Sequence, residues 1–176
     1  MQSLVSDMLE LAQLDGAATS ERVFGEVDFT DLVESYVLQF ESVAFERGVV
    51  IESNLAPHVR IRGDEKRLER LASTLIDNAC KYSNDGEKVR ATLSVSGNGR
   101  EAKLIVRNSG NAISPDDLPH VFDRFYRADR ARTRDTNSYG LGLAIAQEVA
   151  KEHGGSITAQ SSEREGTTFT VTLPVK

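Results

Sequence analysis

Apolar residues Leu4, Val5, Met8, Leu9, Leu11 and Ala12 recur at spacings of three and four, which predicts a short amphipathic helix over residues 2–15. Asp15-Gly16 and the small residues after it predict a helix stop and a joint. A second pattern starts at residue 25. Residues 26–29 read as a strand, and Thr30-Asp31 can cap a helix running to about Arg47, with Leu32, Val33, Tyr36, Val37, Phe40 and Val43 inward. Residues 49–54 and 59–62 read as short strands. Asp64 then caps a helix that runs to about Tyr82 with Leu68, Leu71, Leu75 and Ala79 facing a core. Residues 88–96 and 103–107 are strands joined at Gly97-Asn98-Gly99, a hairpin signal. Residues 141–152 form a helix stopped by Gly154-Gly155, and residues 156–161 and 167–173 close as a hairpin around Glu165-Gly166. Strand pairs with helices between them predict one antiparallel or mixed sheet covered on one face by helices.

Composition narrows the function. The 176 residues are 39% hydrophobic and 27% charged, which suits one domain, or one domain with a short appendage, around a sizeable core. A formal net charge of −6 argues against a nucleic-acid partner held on a basic face. It leaves a polyphosphate open, because local donors and a bound cation overrule net charge. The one cysteine, Cys80, forms no internal disulfide and no cysteine-based metal site, as expected of a reducing compartment. No apolar run approaches the roughly 18–20 residues of a membrane span, so no membrane contact is expected of this segment. The start carries Asp7, Glu10 and Asp15 without a basic stretch, unlike a signal peptide.

Three segments carry candidate chemistry. In residues 71–83, Thr74, Asn78, Lys81 and Asp85 form a polar stripe beside the apolar one, with Tyr82 a turn beyond Asn78. Asn78 is suited to Mg²⁺, Lys81 to phosphate and Tyr82 to a base or sugar; an ordinary amphipathic helix with a solvated face has the same pattern. In residues 106–114, a strand ending at Asn108 and followed by Gly110 permits close backbone approach, and the Asn108 amide can bond a purine edge. A strand followed by a turn reads the same way. In residues 138–145, Gly140 and Gly142 expose backbone N–H groups just before a helix, which suits phosphate or serves only as a hinge. A dinucleotide fingerprint and a Gly-Lys-Ser/Thr phosphate loop are both lacking.

In this order the segments resemble the catalytic and ATP-binding domain of bacterial sensor histidine kinases, members of the GHKL ATPase superfamily. The resemblance covers residues from about 25 to 174. Asn78-Ala79-x-Lys81-Tyr82-Ser83 resembles the end of the N box, and Gly110-x-Ala112-Ile113 the first glycine box. Phe122-Asp123-Arg124-Phe125-Tyr126-Arg127 resembles the phenylalanine box, Gly140-Leu141-Gly142-Leu143-Ala144-Ile145 the second glycine box, and Gly166-Thr167-Thr168-Phe169 the small box on the final hairpin.

The resemblance implies an α+β fold, a two-layer α/β sandwich of the Bergerat type with a mixed sheet covered on one face by helices. It implies ATP and Mg²⁺ as ligands. Asn78 is then the Mg²⁺ ligand, Lys81 a phosphate contact and Tyr82 a contact to adenine or ribose. Asn108, Gly110, Ala112, Ile113, Phe122, Tyr126, Gly140, Leu141, Gly142, Leu143 and Thr168 complete the expected ATP site. Residues 127–138 become a lid, in which Arg127 and Arg132 lie where the family places arginines near the γ-phosphate, and Arg130 and Arg134 are solvated charges.

Two departures accompany the resemblance. Thr74, an expected catalytic position, replaces the usual Asn or Glu, which orients the attacking imidazole better. Asn108 replaces an adenine-reading Asp; a carboxylate only accepts, whereas an amide both accepts and donates. The family's phosphoacceptor histidine lies on a helical hairpin that precedes the ATP domain. His58, His120 and His153 lack that context and read as structural or surface residues. The implied organisation is residues 1–16 as the end of the hairpin's second helix, 17–24 as a linker and 25–176 as the catalytic domain. The expected partners are a histidine-bearing helical hairpin and the receiver domain of a response regulator, and the expected location is the cytoplasmic end of a membrane-anchored sensor. A protein serine kinase or a non-catalytic nucleotide-binding module are the alternatives.

Overall fold

The computed structural model describes residues 2–15, 24–127 and 139–175. Helix α1 (Gln2–Asp15) is followed by β1 (Gly25–Asp28), α2 (Phe29–Glu46), β2 (Val50–Leu55), β3 (Arg60–Gly63) and α3 (Glu65–Tyr82). Then come β4 (Lys88–Val95), β5 (Glu101–Asn108), a single 3-10 turn (Leu118–His120), α4 (Gly142–Glu152), β6 (Ser156–Ser162) and β7 (Gly166–Pro174).

The caps explain where the two long helices begin. Asp64 caps α3 as its sequence predicts, its carboxylate accepting from the Arg67 N–H at 3.2 Å. For α2 the cap is Asp28, which accepts from the Asp31 N–H at 3.2 Å, and not Thr30-Asp31. Thr30 is drawn inward instead. Its hydroxyl donates to the Ala56 carbonyl at 2.7 Å and accepts from the Val59 N–H at 3.0 Å, bonds to a distant loop that no local pattern announces.

Five strands form a mixed sheet in the order β2-β4-β5-β7-β6, with β2 parallel to β4 and the other pairs antiparallel. β1 and β3 pair separately as a two-stranded ribbon, so the strands expected in one sheet divide between two. The helices α2, α3 and α4 pack side by side, with α3 in the middle, and cover one face of the larger sheet. The period of two gives the sheet its inward row: Ala102, Leu104 and Val106 of β5 stand opposite Leu173, Val171 and Phe169 of β7, and all are buried. Leu68, Leu71, Leu75, Ile76 and Ala79 of α3 complete the core between the layers.

Two polar links fix α3 against α4. His153, at the end of α4, accepts from the Asp64 N–H at Nε2 (3.0 Å) and donates from Nδ1 to the Val149 carbonyl (2.7 Å). Both ring nitrogens are thus committed, the Phe24 ring stacks on the imidazole at 5.1 Å, and Arg67 pairs with Glu152 alongside. His58 and His120 lie at the surface, His120 bonded to Asp123 at 2.7 Å. α1 rests on α4 through buried Leu11, and Asp7 pairs with Arg70 of α3 at 2.5 Å; Val5, Met8 and Leu9 of its predicted apolar stripe face outward. No helix among the described residues is long and apolar enough to cross a membrane.

Candidate functional site

The inward row of the sheet changes character at one end. Beyond Val106 and Phe169 the next register pair is Asn108 and Thr167, both buried and both polar. Buried polar groups demand partners, and these two find them. Asn108 Nδ2 donates to the carbonyl oxygen of Tyr82, in the last turn of α3, at 3.2 Å. The Thr167 hydroxyl bonds Ser161 at 2.8 Å, and Ser161 Oγ accepts from the Ile113 N–H at 2.9 Å. A second bond, from the Asn84 N–H to the Ser109 carbonyl at 3.1 Å, repeats the tie between the end of α3 and the end of β5.

A cleft of about 690 Å³ opens over this polar end, walled by α3, the segment after β5, and the start of α4. The middle turns of α3 bring Thr74, Asn78, Lys81 and Tyr82 to it. The Asn78 amide has no partner among the described residues, whereas Lys81 is paired with Asp77 one turn back. Asp85 falls outside this stripe because α3 stops at Tyr82; its carboxylate crowds Gly48. Ala112 and Ile113 line the opposite wall with Tyr126, Arg127 and Tyr139. The Tyr126 hydroxyl donates to Asp117, which also accepts from Ser114 at 2.7 Å. Those two hydrogen bonds hold the Asp117 carboxyl below the usual carboxylate range, with burial opposing and His120 assisting.

The start of α4 supplies the third wall. Leu141 occupies the cap position without a side-chain hydrogen bond, and Gly142 and Leu143 border the cleft, so the first-turn amides and the positive end of the helix dipole face it. A Cβ on Gly142 would stand 3.1 Å from the Thr74 methyl group, so a small residue there lets α3 and α4 approach. Gly140, at φ 73°, also borders the cleft, and a side chain on it would meet the Tyr126 carbonyl at 2.6 Å.

Twelve of the expected residues therefore meet on one cleft: Thr74, Asn78, Lys81, Tyr82, Asn108, Ala112, Ile113, Tyr126, Arg127, Gly140, Gly142 and Leu143. Four others do not border it. Leu141 is buried in the core, and Phe122 packs edge-on against Phe169 at 6.1 Å behind the wall. Gly110 abuts the Tyr82 carbonyl, where a Cβ would come within 1.7 Å of the oxygen. Thr168 points to the other face of the sheet; the alternation that buries Phe169 and Val171 puts Thr167 on the cleft instead. Arg132 and most of the expected lid, residues 128–138, lie outside the described residues. Thr167, Ser114, Asp117 and Tyr139 also line the cleft and are not among the expected site residues. For Thr167 the signal was present, since counting back by twos from Leu173 reaches it.

The arrangement offers an acceptor and a hydroxyl at the buried end of the sheet, and an aromatic ring, an ammonium and the first turn of α4 on the walls. That set of groups fits a base, a sugar and a polyphosphate. Asn78 supplies one hard oxygen on the polyphosphate side, which fits Mg²⁺, a cation that keeps phosphate and water oxygens as its other ligands. No cluster of three or more acidic, histidine or cysteine side chains among the described residues forms an all-protein metal site. Cys80 takes no part: burial pushes its thiol up to about 11, with Asp77 adding to the shift.

Residues 63–176 match the model of the family described as histidine kinase-, DNA gyrase B-, and HSP90-like ATPase. The chain is 36% identical to sensor histidine kinase RppB of Synechocystis, covering 99% of this chain and 38% of that protein. It is 34% identical to sensor protein SrrB of Staphylococcus aureus, covering 99% of this chain and 29% of that protein. The chain thus spans about a third of the length of the curated relatives it matches. Among solved structures, the mycobacterial sensor histidine kinase MprB superposes with a TM-score of 0.77 at 28% identity, over 86% of this chain and 99% of that one. Full-length ShkA in complex with AMPPNP gives 0.83 at 27% identity, over 98% of this chain and 35% of that one.

Proposed function

We propose, from the premise that the chain belongs to the histidine kinase-, DNA gyrase B- and HSP90-like ATPase family, that it is the ATP-binding catalytic part of a two-component sensor histidine kinase. The observation that carries this reading is the meeting of Asn78, Lys81, Tyr82, Asn108 and the α4 N-terminus on one cleft at the polar end of the sheet. Asn108 Oδ1 accepts from the adenine amino group and Thr167 bonds the same base edge. Tyr82 covers the base or ribose. Lys81 exchanges Asp77 for phosphate, and the first-turn amides of α4 hold the outer phosphates. Mg²⁺, held by Asn78, would neutralise charge on the phosphates. Arg127, a residue of the cleft wall, would steady the transferred group, and Arg132 would assist it.

The acceptor of the phosphoryl group is a histidine on a helical hairpin, and the receiver domain of a response regulator takes the group from there. Residues 1–16 then correspond to the end of the hairpin's second helix, 17–24 to a linker and 25–176 to the catalytic domain at the cytoplasmic end of a sensor. Thr74 favours a second reading, a nucleotide-binding module without transfer chemistry, because its hydroxyl orients an imidazole poorly. Calorimetric titration with ATP, with and without Mg²⁺, beside Asn78→Ala tests the site. Saturable binding that weakens on chelation, and about 30- to 100-fold in the variant, is expected. Wild type that fails to bind millimolar ATP refutes the reading. Supplying a histidine hairpin in trans separates the kinase from the module: phosphohistidine forms only with the first.

A further inference from the structure

A line of hydrogen bonds leaves the buried floor of the cleft and ends beside Arg127. It starts at Thr167, whose hydroxyl bonds Ser161 at 2.8 Å, and passes from Ser161 Oγ to the Ile113 N–H at 2.9 Å. Ser114, the next residue, donates from its hydroxyl to Asp117 Oδ2 at 2.7 Å and accepts at the same oxygen from the Asp117 N–H at 3.0 Å. The other carboxylate oxygen, Oδ1, accepts from the hydroxyl of Tyr126, and Arg127 follows Tyr126 in the chain. One carboxylate therefore closes residues 117–126 into a loop. Val121 is the one buried residue of that loop, and Pro119, His120, Asp123, Arg124 and Phe125 are exposed. Its far end thus takes its place from polar bonds more than from the core: the Asp117 link, the Tyr126 N–H to the Asp123 carbonyl at 3.3 Å, and the Phe125 N–H to the Gly140 carbonyl at 3.0 Å.

An anion on this wall needs a reason. Asp117 borders the cleft, and a carboxylate repels a polyphosphate that enters beside it. Its chemistry supplies the reason, because a carboxylate has two acceptor oxygens and no donor and so serves two hydroxyls at once. We propose that Asp117 is a positioning residue for Arg127: Ser114 fixes its carboxylate to the sheet, and the carboxylate fixes Tyr126 and with it the arginine of the cleft wall. This rests on the nucleotide reading above and deepens it. The bond line carries the geometry of the floor to the group that meets the outermost phosphate, and an arginine ordered beforehand lowers the ordering cost of binding. The consequence is confined to the terminal phosphate, since Arg127 is where the link ends.

Two variants break the link at opposite ends with little change of shape. Tyr126→Phe removes the hydroxyl donor, and Asp117→Asn removes one of the two acceptor oxygens. In ¹⁵N relaxation of the free protein, the backbone N–H order parameter of Arg127 is expected to lie near the rigid value of about 0.85 in wild type and to fall toward about 0.6 in both variants. An unchanged order parameter in either variant overturns the proposal, whether or not any nucleotide binds. In calorimetric titrations, each variant is expected to bind ATP about tenfold more weakly than wild type and ADP within about twofold of it. Equal losses for ATP and ADP, the mark of a merely structural role, overturn the proposal, and so does ATP binding as tight as wild type or tighter. Arg127→Ala is expected to reproduce the ATP loss, and Tyr126→Phe added to it to cost less than about twofold more, because the link then has nothing to position. Full additivity of the two overturns the proposal. Wild type that binds no nucleotide refutes the function above instead and leaves the order parameters to decide whether Asp117 fixes Arg127.

Discussion

The floor and the rim of the cleft are built in opposite ways. At the floor, Asn108 and Thr167 are 2% and 4% exposed, stand in the inward row of the sheet, and are bonded to Tyr82 and Ser161. At the rim, beside cleft-lining Tyr126, Phe125 is 57% exposed, sits in the left-handed region at φ 63°, and is tied back by its N–H to the carbonyl of cleft-lining Gly140 at 3.0 Å. The floor is a continuation of the core, so its geometry costs no separate ordering on binding. At the rim, Phe125 is held by a backbone hydrogen bond rather than by core packing, and a bulky residue at positive φ stores about 1–2 kcal/mol of strain. A site that must recognise one base and yet admit and release a polyphosphate has use for both.

Two phenylalanines give the sharpest contrast. Phe169→Ala, beneath the floor, is expected to lower the unfolding free energy by about 3–5 kcal/mol, measured by urea denaturation. A loss below about 1 kcal/mol would mean that the floor is not part of the core. Next comes Thr167→Val, which keeps the shape and removes the hydroxyl: ATP affinity is expected to fall about five- to tenfold by calorimetry. An unchanged affinity would confine base recognition to Asn108. The rim link from Tyr126 to Asp117 carries a pH signature. Because the Asp117 carboxyl lies below its ordinary value in the folded chain, the stabilisation is complete above the unfolded carboxyl's value of about 3.9 and is lost as pH falls through the lower folded value. The difference in melting temperature between wild type and Asp117→Asn should therefore be present at neutral pH and vanish in strong acid. The smallest effect is expected from Phe125→Asn. Asparagine tolerates the left-handed region, so stability should hold or rise by no more than about 1 kcal/mol. A loss like that of Phe169→Ala would erase the distinction between floor and rim.

Much of this was legible along the chain. Asp64 heads α3 as its position before an apolar helical stripe predicts, and Asn78, Lys81 and Tyr82 follow at spacings that the helix turns into one wall. The hairpin at Gly97-Asn98-Gly99 and the closing hairpin around Gly166 form where their turn residues lie. These are local matters, decided within a few residues by capping, periodicity and backbone freedom. The misses have a common cause. Asp28 takes the α2 cap because Thr30 is claimed by Ala56 and Val59, nearly thirty residues away. The β1-β3 ribbon separates from the main sheet because its two strands pair with each other across α2.

The sequence by itself determined which elements form, and which side chains can serve a base, a phosphate or a cation, because residue type and spacing carry that information. It left open which way the Asn108 amide faces and which glycines line the cleft rather than make room behind it, and it pointed to Thr168 where Thr167 borders the cleft. Only the tertiary structure decided these. The Tyr82 carbonyl orients the amide, the β5-β7 register turns Thr167 inward, and the nearness of α3 to β5 leaves no space for a side chain at Gly110. Each answer depends on an atom brought near by packing from a distant part of the chain, and no local pattern encodes such a distance.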